Sequence, residues 1–223
     1  MDATIPHLTA AAGQTACSTA RAWRLRVRAG GLELLAERSS RRAVLAGGAA
    51  LLNVRLALAD AGVEPVVIPV PHDRSDVLVR VEPGAPIRGR PTDSYLFGEL
   101  LRGRQGAPRL TDGNLSDGLT AHLAAAVEAE RARLVPLGAG WSAEQASAAG
   151  LLVTDGDGVL DWLRAGQAMQ RLYLTASAAW LAVRCDLDTL EVPHVRERAR
   201  RDHCPDGFPQ VMLELEQRTA PVS

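Results

Sequence analysis

The chain contains no lysine; all 25 of its cationic side chains are arginine. Acidic residues number 26, so the formal net charge is −1 and neither nucleic acid nor an anionic membrane is demanded as a partner. The arginines are dispersed along the chain, which reads as GC-rich coding, as in an actinomycete or a similar bacterium, rather than as one phosphate-binding cluster. Aromatic residues are scarce, at 4%. Cysteine is scarcer still: Cys17, Cys185 and Cys204 make an odd number with no CxxC pair. That excludes a disulfide framework and a cysteine-rich zinc site, and it fits a reducing cytoplasm. No apolar run reaches the ~18–20 residues that span a bilayer, and no basic-then-apolar leader opens the chain. GxGxxG and P-loop patterns are missing, so dinucleotide-binding and NTPase folds are not indicated. The GxSxG elbow is missing around Ser18, which leaves hydrolase chemistry unsupported.

What is present is an ordinary apolar share, 47% of 223 residues, enough for a sizeable core. Trp23, Leu25 and Val27 alternate with arginines, the period of a half-buried strand. Gly30-Gly31 then turns the chain into a second strand through Ala36, a hairpin. Apolar residues at helical spacing predict a helix over 43–61, with Gly62 as its C-terminal cap. Pro65–Val70 and Val77–Val81 read as strands, with Pro69 favouring an edge or bulge; residues 82–92 read as a connection. A short helix is predicted over Tyr95–Arg102, and a second over 117–133 capped by Ser116. Strands follow at Leu134–Leu137 and Leu151–Val153. The longest helix is predicted over 159–183, then a helical turn at Arg196–Asp202 and a last strand at Gln210–Leu215. No internal repeat is visible. The expected class is α+β, one domain over residues 1–223 in two blocks, 15–82 and 95–217.

Three ordered segments then stand out: DWLRAGQAMQRLYLTASAAWLA from Asp161, EVPHVRERAR from Glu191, and GFPQVMLEL from Gly207. They resemble the C-terminal part of the Acg-like branch of the nitroreductase family. Trp23–Val27, Leu32–Glu37, Arg41 and the Gly48-Ala49-Ala50-Leu51 helix resemble its N-terminal part. The resemblance implies a long buried helix under a small sheet, FMN at a two-fold or pseudo-two-fold interface, and two-electron chemistry on a small conjugated substrate with a nicotinamide donor. The stretch between Pro136 and Leu151 is shorter than in the family. That argues against an internal pseudo-dimer and for a homodimer.

The resemblance also implies which residues meet the flavin. A loop before the first strand lies on the ring in the family; here it supplies Ser18, Thr19, Arg21 and Trp23, with Thr19 and Arg21 at positions that are amides elsewhere. The phosphate-binding element falls on LRGRQGAPR, giving Arg102, Arg104 and Arg109. Trp180 stands where glycine is usual late in the long helix. Glu214 and Glu216 stand where a cation and a glycine are usual, and carboxylates oppose a nearby phosphate. All four flavin-contacting elements are altered. The expectation is therefore an FMN-dependent, cytoplasmic oxidoreductase, with a flavin-free repurposed relative as its alternative. No side chain is assigned a catalytic role, since the flavin itself does the chemistry. No metal is expected: His203-Cys204 is a lone pair in a polar loop. The TDGDG turn at 154–158 lacks the remaining calcium ligands and reads as a helix start.

Overall fold

The computed structural model describes residues 12–13, 22–28, 30–71, 76–102, 115–137 and 148–217. Two four-stranded antiparallel sheets sandwich a pair of long helices. The first sheet holds β1 (Trp23–Arg28), β2 (Gly31–Ala36), β3 (Val63–Pro69) and β4 (Val77–Pro86), in the order β1-β2-β4-β3. Helix α1 (Arg41–Asp60) connects β2 to β3. Helices α2 (Pro91–Arg102) and α3 (Asp117–Glu128) follow. The second sheet holds β5 (Arg133–Leu137), β6 (Ala148–Thr154), β7 (Leu181–Asp186) and β8 (Phe208–Gln217), in the order β5-β6-β8-β7. Helix α4 (Val159–Ala178) connects β6 to β7. A 3-10 turn (Thr189–Glu191) and α5 (Pro193–His203) lie between β7 and β8. The class is α+β, as expected.

Local chemistry accounts for most boundaries. Ser40 caps α1 by accepting the Ala43 N–H at 3.2 Å, and Ser116 caps α3 through Leu119 at 3.3 Å. Gly62 ends α1 at φ +74°, the left-handed conformation that glycine adopts without strain. Helix α4 stops at Ala178, five residues earlier than expected, and the chain enters a strand that the sequence reading did not anticipate. The residue making that break is Trp180, at φ +59°. The left-handed conformation costs a bulky residue about 1–2 kcal/mol. Strand β4 runs to Pro86, into the stretch read as a connection. Its prolines are tolerated because β2 pairs only as far as Val81, leaving one edge of β4 open there.

The two sheets share one connectivity, with a 20-residue helix inserted at the same point. An approximate internal two-fold follows. Gly48 of α1 abuts the Leu163 carbonyl of α4, and Gly166 of α4 abuts the Leu45 carbonyl of α1. Both correspondences, 45 with 163 and 48 with 166, and that of Gly62 with Trp180, are 118 positions apart. The expectation of no internal pseudo-dimer is thus corrected. Between α1 and α4 only Leu45, Gly48, Ala50 and Leu56 find identical partners at that offset, too few to register as a repeat. Among the described residues α1 is the one helix long and apolar enough to cross a membrane, and 89% of its apolar window lies buried inside the protein.

The halves differ on their outer faces. In the second sheet Leu151, Val153 and Met212 are covered by Leu190 of the 3-10 turn and Ala199 of α5. The corresponding row of the first sheet includes the charged Glu33, and no helix among the described residues takes the place of α5 there. Glu33 there receives Arg26, Arg28 and Arg80. Of these, the Arg26 guanidinium contributes most to holding the Glu33 carboxyl below its ordinary value, against the opposing effect of burial.

The three segments that carried the family resemblance meet at one clamp. Arg196, from the EVPHVR turn, donates to Asp157 and to Gln210 of the final strand. The Trp162 indole N–H donates to Asp157 at 2.7 Å, and Gln210 donates to Thr154 at 2.9 Å. Arg41, 6% exposed, reaches across from α1 to the Gln210 carbonyl and to Glu191. Burial alone would raise the Asp157 carboxyl; donation from Arg196, Trp162 and Gln210 outweighs it and holds the group below its ordinary value. A depressed carboxyl stabilises the fold above the ordinary aspartate range and loses that contribution as pH falls through its lowered value. Asp157→Asn is therefore expected to lower the melting temperature at pH 7, with the difference from wild type shrinking below about pH 4. A gap that stays constant down to pH 2 would show that the clamp does not need the charge.

Candidate functional site

Arg171 is the site's centre. It lies in the second half of α4 and is 9% exposed. Its Nε donates to Glu130 at 2.8 Å and its Nη1 to Asp93 at 3.4 Å. Glu130 follows α3, and Asp93 sits in the first turn of α2. Glu130 is itself buried and accepts a second guanidinium, Arg55 of α1, at 2.6 Å; Arg55 also donates to Gln167 at 2.6 Å. Two arginines thus face two carboxylates, and each buried charge has a counter-charge as low dielectric requires. The Nη2 of Arg171 makes no hydrogen bond among the described residues.

Two cavities adjoin this network and share Arg171 as a wall. The first has a volume of about 580 Å³. Helix α2 gives it Pro91, Thr92, Tyr95 and Leu96. Helix α3 and its end give His122, Ala125, Ala126 and Ala129, and α4 gives Arg171, Thr175, Ala178 and Ala179. Most of this wall is apolar. Tyr95 stands 52% exposed at the mouth. The Thr175 hydroxyl donates to the Arg171 carbonyl at 2.8 Å, so towards a ligand it can only accept. The second cavity is smaller, about 340 Å³, and polar. Arg55, Arg88, Arg90 and Arg171 line it with Glu64 and Asp93; Leu56, Ala59, Pro65 and Ile87 complete it. Both volumes fall in the range of small-molecule sites.

Of the residues expected at the flavin, Ser18, Thr19, Arg21, Arg104 and Arg109 lie outside the described residues. Trp23 is half-buried and packs on the core between the first sheet and α1. Arg102 ends α2 and is paired to Glu99 of the same helix, whose carboxylate is buried. Trp180 is 44% exposed on the turn after α4. None of these three lines either cavity. Glu214 pairs with Arg184 on the neighbouring strand β7. His203 and Cys204 close α5: burial pushes the Cys204 thiol up, and no metal-holding group of His, Cys, Asp and Glu exists among the described residues.

Sequence reasoning missed Arg171, although it lies within the segment that identified the fold. Its signal was an arginine, QRLYLT, the one charged residue buried in a helix whose other buried polar groups, Gln167, Gln170, Thr175 and Ser177, are uncharged. The partner charges, 41 and 78 positions away, carry no motif.

No family model matches the chain, and no curated protein matches it. Among solved structures it is similar to a chain from Anabaena variabilis described as a nitroreductase. The two are 12% identical; the match covers 85% of this chain and 69% of that one, with a TM-score of 0.55. At that identity the likeness speaks for the fold alone. The protein has a nitroreductase-like fold.

Proposed function

We propose that this chain is an FMN-dependent oxidoreductase of nitroreductase type, acting on a small conjugated substrate at the cavity pair around Arg171. The observation that carries the reading is the pairing itself: an apolar chamber and an arginine-lined one joined by a buried guanidinium with a free donor edge. A flat ring with a phosphate-bearing tail has matching requirements. An apolar slot suits the ring, and planar guanidinium forks suit the phosphate. The donor set therefore fits the cofactor, and it does so without Arg102, whose guanidinium is already committed to Glu99.

Bound FMN would supply two-electron transfer between a nicotinamide donor and a conjugated acceptor. The chain's own residues bind, orient and shield. Leu96, Ala126 and Ala178 exclude water, which strengthens every electrostatic contact inside. Arg171 Nη2 orients whatever acceptor oxygen meets it. Tyr95 and His122 at the wall are the groups able to exchange a proton with a reacting substrate.

A second reading, a flavin-free relative that uses the same chambers for another ligand, is favoured by the Arg102–Glu99 and Arg184–Glu214 pairs, which occupy positions where family members meet FMN. One purification separates the two. The first reading expects a yellow protein, or a colourless one that quenches added FMN and then oxidises NAD(P)H in the presence of a nitroaromatic. A colourless protein indifferent to FMN and to NAD(P)H would sink it. The homodimer implied by the family resemblance would be an assembly of two chains that each carry an internal two-fold, and light scattering reads its mass.

A further inference from the structure

We infer that the second chamber is an anion subsite, in which Arg88, Arg90 and the Nη2 edge of Arg171 hold a phosphate or carboxylate whose apolar body occupies the first chamber. The inference rests on the cavity pair being the ligand site, and not on that ligand being a flavin.

Arg55 and Arg171 are balanced by Glu130 and Asp93. Arg88 and Arg90 line the same chamber, are exposed, and carry no ion pair among the described residues. Only Glu64, also exposed, remains to oppose them. The chamber is left with a positive excess and with unspent guanidinium donors on two sides. Guanidinium groups are well suited to planar, bidentate recognition of carboxylate and phosphate.

The segment carrying Arg88 and Arg90 is fixed at both ends. The Ile87 N–H donates to the Gly62 carbonyl at 2.9 Å, and the Arg90 carbonyl accepts from Asp93 at 3.0 Å and Ser94 at 3.2 Å. Between them Gly89 runs so close to the Ala59 carbonyl that an added Cβ would stand 3.1 Å from it. The two arginines therefore project from an anchored backbone, which lowers the ordering cost of binding. Arg90 also precedes the first turn of α2, whose N-terminal partial charge adds to the field.

Arg171 is nine-tenths buried as a residue and lines both chambers. Its Nη2 is not one of the buried atoms left without a partner, so that nitrogen is open to solvent, and an anion at the junction can accept from it.

Two ligand pairs test the subsite, each an anion and its neutral analogue: FMN against riboflavin, and 4-nitrobenzoate against nitrobenzene. Affinities are measured by calorimetry on wild type and on the double variant R88A/R90A. The two arginines are exposed and unpaired, so the variant should keep the wild-type melting temperature, which is recorded alongside. In wild type at least one anion should bind about tenfold or more tighter than its neutral analogue, a preference that added salt weakens. In the variant that ratio should fall to about one, with the neutral analogue unaffected. A preference in the flavin pair identifies a phosphate source; a preference in the benzoate pair alone identifies a carboxylate source, and then the flavin reading falls while the subsite stands. Equal binding within both pairs, no binding of any member, or a preference that survives in R88A/R90A overturns the inference.

Discussion

Gly166→Ala is expected to lower the stability of the protein by about 3 kcal/mol, although alanine is the better helix former by about 1 kcal/mol. The added Cβ would stand well inside van der Waals distance of the Leu45 carbonyl oxygen and of Gly48 Cα. Both obstacles are backbone atoms of the facing helix, so neither can rotate away. Gly48→Ala meets the reciprocal obstacle, the Leu163 carbonyl and Gly166 Cα, and should cost a similar amount. Gly47→Ala provides the control one residue away. Its Cβ would meet only the Leu34 and Leu78 side chains, at 3.5 and 3.6 Å, which is ordinary contact. That substitution should be neutral or stabilising by up to about 1 kcal/mol. Adjacent glycines in one helix are thus expected to respond with opposite signs. Denaturant midpoints for the three variants decide it, with a shift of about 2–4 °C per kcal/mol in a thermal scan. If Gly47→Ala and Gly48→Ala move together, α1 and α4 do not cross at these glycines.

That crossing shows what was legible in the sequence and what was not. The helix over 43–61, its glycines as a sign of close approach, and Gly62 as its cap were all readable from spacing. So was the hairpin around Gly30-Gly31. The end of α4 was not, because Ala178, Ala179 and Trp180 present no stop signal; the tryptophan takes the role that Gly62 has in the first half. The internal two-fold was hidden for a related reason. It is kept by backbone geometry and a handful of contact residues, while the outer faces diverged into a charged row on one sheet and an apolar one on the other. The segments that resembled a family proved to be a clamp, joining Asp157, Arg196 and Gln210. Such a clamp identifies a fold and leaves its chemistry unspecified. Candidate site residues were legible only where a motif carried them, and those motifs lie mostly outside the described residues. The cavity pair is assembled from residues as far apart in sequence as Arg55 and Arg171, and no local pattern encodes such a meeting.

Removing Glu130 should have the other large effect, and its sign differs between stability and binding. The carboxylate is 4% exposed and serves both Arg55, at 2.6 Å, and Arg171, at 2.8 Å. Glu130→Leu is expected to destabilise the fold by about 3 kcal/mol, because it leaves the buried Arg171 charge with only Asp93, at 3.4 Å, to oppose it rather than merely deleting a bond. Most of that penalty belongs to Arg171, whose side chain is 11% exposed; Arg55, at 28%, can turn to water. The double variant E130L/R171L should therefore recover most of the loss, and a double-mutant cycle should return a coupling of more than 1 kcal/mol. A coupling within the ~0.2–1 kcal/mol of a surface pair would show that water reaches the network. The same deletion should tighten anion binding at the cavity pair, since Arg171 then lacks its principal counter-charge and an added carboxylate or phosphate can replace it. Glu130 in this view holds Arg171 in place and at the same time tempers it. A variant that is less stable yet binds 4-nitrobenzoate or FMN more tightly would establish both roles; one weakened in both respects would make Glu130 a structural residue alone.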